Sequence, residues 1–136
     1  MPLELVTLDG RTQAEILRAG EEVESTTFFS PDDAPLQLGL MSHKSGFQEP
    51  PHYHPVLARS ECQTQQFFIV TRGEIAVQFF TIHGEIFEEV TLLVGDSILI
   101  KEGVHSIRVN MNSRCVTIKQ GPFIGPEQDK ILVATK

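Results

Sequence analysis

What this sequence has least of is helix signal, cysteine and long apolar runs. Cys62 and Cys115 are the only cysteines. Two are too few for a disulfide framework, so stability has to come from a packed core, and both are expected to be reduced thiols. No apolar stretch approaches the ~20 residues that a membrane-spanning helix needs. The opening residues, MPLELVTLDG, carry neither the basic nor the apolar region of a secretory signal. These absences set the expectation of a cytoplasmic protein with no membrane partner. Positive charge is also short: 11 Lys and Arg stand against 18 Asp and Glu, a net charge of −7. Such a surface repels a phosphate backbone and argues against nucleic acid as partner. It does not argue against a small anionic ligand, which needs only one or two local cations. Aromatic residues are sparse, with no tryptophan and one tyrosine. The 40% hydrophobic content of a 136-residue chain is nevertheless enough for the core of one domain.

What is there reads mostly as strand. Near the N-terminus, Thr12-Gln13-Ala14-Glu15 has the form of a capping box and is followed by Ile16, Leu17 and Ala19, with Gly20 as a stop. This predicts one short helix over 12–19, packed outside the rest. From Ser25 onward the pattern changes. Thr26 to Phe29 is β-branched and aromatic; Pro31-Asp32-Asp33 is a turn; Leu36, Leu38 and Leu40 alternate as a half-buried strand does. Further strands are expected over 49–54, 65–70, 74–80, 85–94, 97–100, 106–109 and 114–119. Turns at Thr71-Arg72-Gly73 and Ile82-His83-Gly84 separate them. Residues 55–64 read as a polar loop. Many short strands between Gly, Pro, Asn and Asp turns argue an all-β sandwich or jelly roll. Residues 121–136 form a turn-rich tail, apolar at Ile131 to Val133, that wraps over the barrel or a partner subunit.

Two stretches carry chemistry. In the first, His52 and His54 lie one residue apart between Gly46 and Gly73. On a strand of period 2 both imidazoles share a face, which suits a divalent ion. Tyr53 would then face the other way. In the second, Gly95 opens a turn, a short apolar strand follows, and Lys101-Glu102-Gly103-Val104 leads to His105. Together these resemble the two motifs of the cupin family. Gly46, His52, His54 and Gly73 match the first motif; Gly95, Gly103 and His105 match the second. The resemblance covers about residues 36 to 120. The chain departs from it in four places. Gln66 stands where the family has glutamate, eleven residues separate His54 from Gln66, Lys101 replaces a proline, and His105 comes one residue early. A one-residue slip ordinarily turns a strand side chain to the opposite face.

The resemblance implies a single all-β domain: a cupin double-stranded β-helix, or jelly-roll barrel, over about 25–120, preceded by the helix at 12–19 and followed by the tail at 121–136. It implies a pocket at one end holding a divalent ion (Fe, Ni, Zn or Mn) on His52, His54 and His105, with Gln66 as a weak neutral donor. Its partners would be a small-molecule ligand or substrate and a second copy in a homodimer. The run Gln66-Phe67-Phe68-Ile69 is also similar to cupins that isomerise keto groups on nucleotide-linked sugars without a metal. There His52 or His54 would act as the proton-transferring base. A third reading is a binding module without chemistry. Arg59 and Glu61 fall in the loop, Arg108 and Lys119 are candidate anion-holding cations, and His43 and His83 fall at turns.

Overall fold

A computed structural model describes residues 2–52, 54, 55, 64–120 and 131–136. Eight strands account for all of its regular structure among these residues: β1 (Glu4–Leu8), β2 (Arg11–Leu17), β3 (Thr27–Phe28), β4 (Gly39–Leu40), β5 (Gln66–Phe80), β6 (Ile86–Leu92), β7 (Ser97–Ile100) and β8 (Val104–Lys119). No described helix is long and apolar enough to cross a membrane. Six strands make one antiparallel sheet in the order β1-β2-β7-β5-β6, with β8 on β5, and β3 pairs with β4 apart from it. The sheet curls into a half-barrel.

The curl originates in β5. This strand runs for 15 residues and pairs with β8 from end to end. On its other edge it pairs with β7 through Gln66–Ile69 and with β6 through Ile75–Phe80. Between these halves the ladder to β8 breaks register three times, between Val70 and Ile75. Extra residues of this kind bend a strand and increase its twist. Gly73 sits at the corner with φ of 79°, and a Cβ there would run into the backbone of Asn112 and Ser113. Only glycine meets both demands. The consequence is visible in the core. Phe68 and Val70 of the first half share one buried cluster with Ile75, Val77 and Phe79 of the second, together with Ala14, Ile16, Leu92, Ile98 and Ile100. Both halves of a single strand therefore contribute to one core on the concave side. Two strands were expected here, over 65–70 and 74–80. The turn signal at Thr71-Arg72-Gly73 marks a bend within one strand, because β8 continues alongside it. For the same reason the strands expected over 106–109 and 114–119 are both parts of β8.

The helix expected over 12–19 is not formed; those residues are β2 up to Leu17. Asp9-Gly10 decides this. Both residues have positive φ (51° and 75°), and Leu8 lies opposite Arg11. That is the two-residue hairpin turn favoured for Asp-Gly, and it folds β2 back on β1. β2 then lies between β1 and β7 and is buried on both faces. Ala14 and Ile16 enter the concave core, while Leu17 joins a second cluster with Leu3, Leu38 and Leu99 on the convex side. Backbone pairing on both edges outweighs the weak helix preference of a capping box. The sheet accordingly begins at Glu4 rather than near residue 25. The segment expected as a strand over 49–54 has no regular structure at its described residues. Pro50 and Pro51 supply no N–H for a ladder.

Burial of β2 on both faces puts Glu15 in the interior, at 1% exposure. Its carboxylate accepts hydrogen bonds from Ser30 Oγ (2.7 Å) and Lys101 Nζ (3.3 Å). The Ser30 hydroxyl in turn accepts from Leu38 N–H at 2.8 Å, so one buried acid ties β2, β7 and the segment before β4 together. A second knot closes the far end of β2. Asp96, also buried, accepts from Ala19 N–H (3.0 Å), Leu93 N–H (2.9 Å) and Arg18 Nη1 (3.0 Å). Arg18 also holds Glu4 at 2.6 Å.

Two stability predictions follow from these knots. Lys101→Met should cost ~3–5 kcal/mol in urea unfolding, because Glu15 is left as an unpaired buried charge. Glu15→Leu with Lys101→Met should recover most of it; a double variant as unstable as the single one would show that the pair is not what matters. Burial pushes the Asp96 carboxyl up, but the hydrogen bonds from Leu93, Ala19 and Arg18 outweigh it and hold it below its ordinary value. The hydrogen bond from Arg18 lowers Glu4 likewise. Both groups contribute stability that is present above their unfolded-state values, around pH 4, and is lost as pH falls through the folded ones. Asp96→Asn should therefore flatten the acid limb of the stability–pH curve below about pH 4 and cost ~1–3 kcal/mol at neutral pH. An unchanged acid limb would remove Asp96 from the account.

Candidate functional site

The register decides where the chemistry-bearing side chains of the sheet point. Gln66 lies two residues before Phe68 on the regular part of β5, so it shares the concave face with Phe68. Its Nε2 donates to Thr117 Oγ1 at 3.2 Å, and Thr117 lies opposite Phe68 on β8. His105 lies directly opposite Phe79, which is a member of the concave core. Residues directly opposite in an antiparallel pair share a face, so His105 is also on the concave side. The early position of His105 does not turn it outward, because β8 takes its register from β5 and not from the length of the turn at Gly103. Gln66 begins β5 and Phe79 nearly ends it. Gln66 and His105 thus lie on the concave side near opposite ends of the bent β5. His105 is exposed there, with Nδ1 3.2 Å from the Gly103 carbonyl oxygen.

His52 and His54 are exposed and lie on the irregular segment, not on a strand. Their rings are in edge contact, with centroids 5.1 Å apart and planes at 86°. Two imidazoles bound through nitrogen to one tetrahedral ion, at the usual N–metal distance, have centroids about 5 Å apart. The pair thus has the spacing of two ligands. Glu49 is the residue that the sequence reading left without a role. Its Oε1 lies 3.0 Å from His52 Nε2, and His52 Nδ1 is 2.9 Å from the Pro50 carbonyl oxygen. Both ring nitrogens of His52 lie within hydrogen-bond reach of acceptors, and which of them donates depends on the tautomer. To take an ion through Nε2, His52 needs Glu49 to leave that nitrogen. The i, i+3 spacing of Glu49 and His52 was the available signal. It reads as nothing on a strand, where odd separations fall on opposite faces, and becomes meaningful only because this segment is not one.

These groups are not gathered into one centre. Among the described residues, no set of three or more His, Cys, Asp or Glu side chains is placed to hold a metal ion, and no described hydrogen bond or ring contact joins His52 or His54 to His105. The histidine pair fits two positions of the implied site; the described geometry does not add the third. Tyr53, Arg59, Glu61 and Cys62 lie outside the described residues.

The remaining candidates divide between the two faces of the sheet and the turns. Arg108 lies opposite Ala76 and pairs with Glu89 at 2.8 Å. Glu89 is opposite Gln78, on the convex face. Lys119 lies opposite Gln66 and so shares its concave face. His83 is exposed in the turn before Gly84. His43 stacks on Phe47 with centroids 3.8 Å apart and hydrogen-bonds Thr26 Oγ1 at 2.9 Å. With Val23, Glu24, Ser42 and Lys44 it lines a cleft of about 500 Å³. Cys115 lies opposite Val70 and packs against the concave core, and burial pushes its thiol up from the ordinary value.

In comparison with known proteins, no family model, no curated protein and no solved structure matches the chain.

Cys115 offers a direct check on the concave wall. With Cys62→Ser to leave one thiol, its reaction with a disulfide reagent at pH 8 should be at least several-fold slower than that of a free cysteine, since only the thiolate attacks. In urea the two rates should converge. A native rate equal to the free thiol would place Cys115 outside the core.

Proposed function

We propose that this protein is a small cupin-type barrel that binds a small molecule through a histidine centre and takes up a divalent ion on His52 and His54. The observation that carries the reading is the T-shaped imidazole pair at the spacing of two ligands on one ion. Two further features support it. Glu49 is close enough to exchange its bond to His52 for a bond to the ion, and a carboxylate beside two imidazoles offsets part of a dication's charge. His105 and Gln66 both lie on the concave face of the sheet, which makes His105 the candidate for a third ligand. When bound, the ion would polarise a ligand oxygen or activate water. The chain's own residues would orient the ligand: Gln66 with its amide, Thr117 by holding that amide, and the apolar wall of Phe68 and Phe79 by excluding water.

A metal-independent sugar-nucleotide isomerase is the alternative, and one contact favours it. A carboxylate 3.0 Å from an imidazole nitrogen is the arrangement that orients a histidine for proton transfer. Gln66 is neutral and already hydrogen-bonded, so nothing in that reading demands an ion. A non-catalytic binding module uses the same concave wall without either chemistry.

Calorimetric titration separates the three. With Zn(II), Ni(II), Mn(II) or anaerobic Fe(II), the metal reading expects near-stoichiometric uptake, weakened at least tenfold in Glu49→Gln and abolished in His52→Ala/His54→Ala. Gln66→Glu should raise the affinity at least tenfold, ~1.4 kcal/mol. A charge ~4 Å from the ion contributes about 4 kcal/mol per unit charge at an effective dielectric of about 20, and desolvation of the carboxylate takes back much of that. Equal affinities for wild type and Gln66→Glu would mean that Gln66 does not face the ion. Binding of a nucleotide sugar by metal-free protein, with proton exchange lost in the same double variant, would instead favour the isomerase. Ligand binding without turnover would leave the binding module.

A further inference from the structure

The arginines of the sheet divide into two groups. Arg11 pairs with Glu102 at 2.7 Å, Arg18 with Glu4 at 2.6 Å and Asp96 at 3.0 Å, and Arg108 with Glu89 at 2.8 Å. Arg72 and Arg114 pair with no carboxylate among the described residues. They are also the two that stand directly opposite each other on the β5–β8 ladder. Like charges so placed repel and destabilise a sheet. The chain has acids to spare, with a net charge of −7, yet this corner carries two exposed cations and no described acid between them. The nearest acid along β5, Glu74, accepts instead from Asn110 Nδ2 at 3.0 Å.

The local geometry gathers the pair. The register shifts between Val70 and Arg72, so Thr71 is the extra residue and lies with Arg72 against Arg114. Thr71 Oγ1 donates to the Arg114 carbonyl oxygen at 3.0 Å and accepts from Arg114 Nη1 at 3.2 Å. This clamp fixes the Arg114 guanidinium at the corner and leaves the rest of its N–H fork for a ligand. Val70 and Cys115 belong to the concave core. Thr71 and Arg114, each one residue away, are therefore on the convex side, apart from the concave wall that carries Gln66 and His105. Two forks need more acceptors than a carboxylate has, since its two oxygens satisfy one guanidinium. A phosphate group presents three terminal oxygens and up to about two negative charges, enough for both. Nucleic acid is the other carrier of that group, but the acidic surface repels a phosphate backbone.

We propose that Arg72 and Arg114, oriented by Thr71, form a convex-side site for a phosphate group, free or carried on a small molecule. The inference is independent of the histidine reading. In thermal unfolding of the metal-free full chain at low ionic strength, millimolar inorganic phosphate or pyrophosphate should raise the midpoint, because a ligand of the native state stabilises it. Acetate at the same concentration should raise it less. The rise should be lost in Arg72→Gln/Arg114→Gln and kept in His52→Ala/His54→Ala. Arg72→Lys should weaken phosphate binding at least several-fold in calorimetry, since an ammonium keeps the charge and loses the fork. Without anion, Arg72→Gln should be no less stable than wild type, because it relieves the repulsion across the ladder. Tighter binding of pyrophosphate than of phosphate would identify the group as part of a larger molecule, and equal binding would identify free phosphate. A wild-type midpoint indifferent to phosphate would overturn the proposal. So would equal rises with acetate and phosphate, or in wild type and the double glutamine variant. An Arg72→Gln chain destabilised equally with and without phosphate would also overturn it, since that marks an arginine with a structural role alone.

Discussion

The bend in β5 is the constraint from which the rest of the structure takes its positions. A 15-residue strand left straight would be roughly 50 Å long and its two halves would never meet. The register breaks around Gly73 bend it, and Phe68 and Phe79 then belong to one core. β8 has to follow the bend because it pairs with both halves, and β6 and β7 divide the other edge between them. The concave wall, its open end and the side chains that reach it are all set by this one corner. It also explains why the corner glycine tolerates no side chain. The partner strand passes within contact distance just where the backbone turns left-handed.

The N-terminal hairpin closes the sheet by a different means. β2 is buried on both faces, so a sequence with Gln13 and Glu15 on alternate positions must satisfy polar groups inside. It does so through Ser30 and Lys101 for Glu15. At the far end, Asp96 gathers Arg18 and two backbone donors. Lys101 thus has a structural reason to stand at the end of β7: it pairs with an acid that β2 brings into the interior. Buried ion pairs of this kind contribute little net stability against an apolar pair of similar size. Their effect is to make any other register of β2 costly, because a one-residue slip would leave Glu15 without either partner.

The candidate site divides along the same line. Gln66 and His105 are fixed by the ladder on the concave face. His52 and His54 belong to a segment with no ladder, and their geometry comes from local contacts with Glu49, Pro50 and each other. A ligand that drew these two groups together would order an irregular segment against a rigid wall. That ordering costs conformational entropy, which would lower affinity without lowering specificity.

By itself the sequence determined the all-β class, since β-branched runs between Gly, Pro and Asp turns leave little else to form. It also marked the strands at β6 and β7 and the residues worth suspecting, because His-x-His and a histidine after a Gly turn are rare enough to notice. It pointed to a helix at 12–19 because a capping box is a local signal, whereas β2 is held by strands that arrive from residues 4–8 and 97–100. The Asp9-Gly10 turn was legible, and it outranks the capping box once both flanks are seen to pair. Only the tertiary structure decided that 65–80 is one bent strand, that His105 points inward despite its early position, and that Glu49 belongs with His52. Each of these depends on a neighbour distant in sequence, or on the loss of strand periodicity. Spacing along the chain carries neither kind of information, because side-chain direction is set by the partner strand where there is one and by local contacts where there is not.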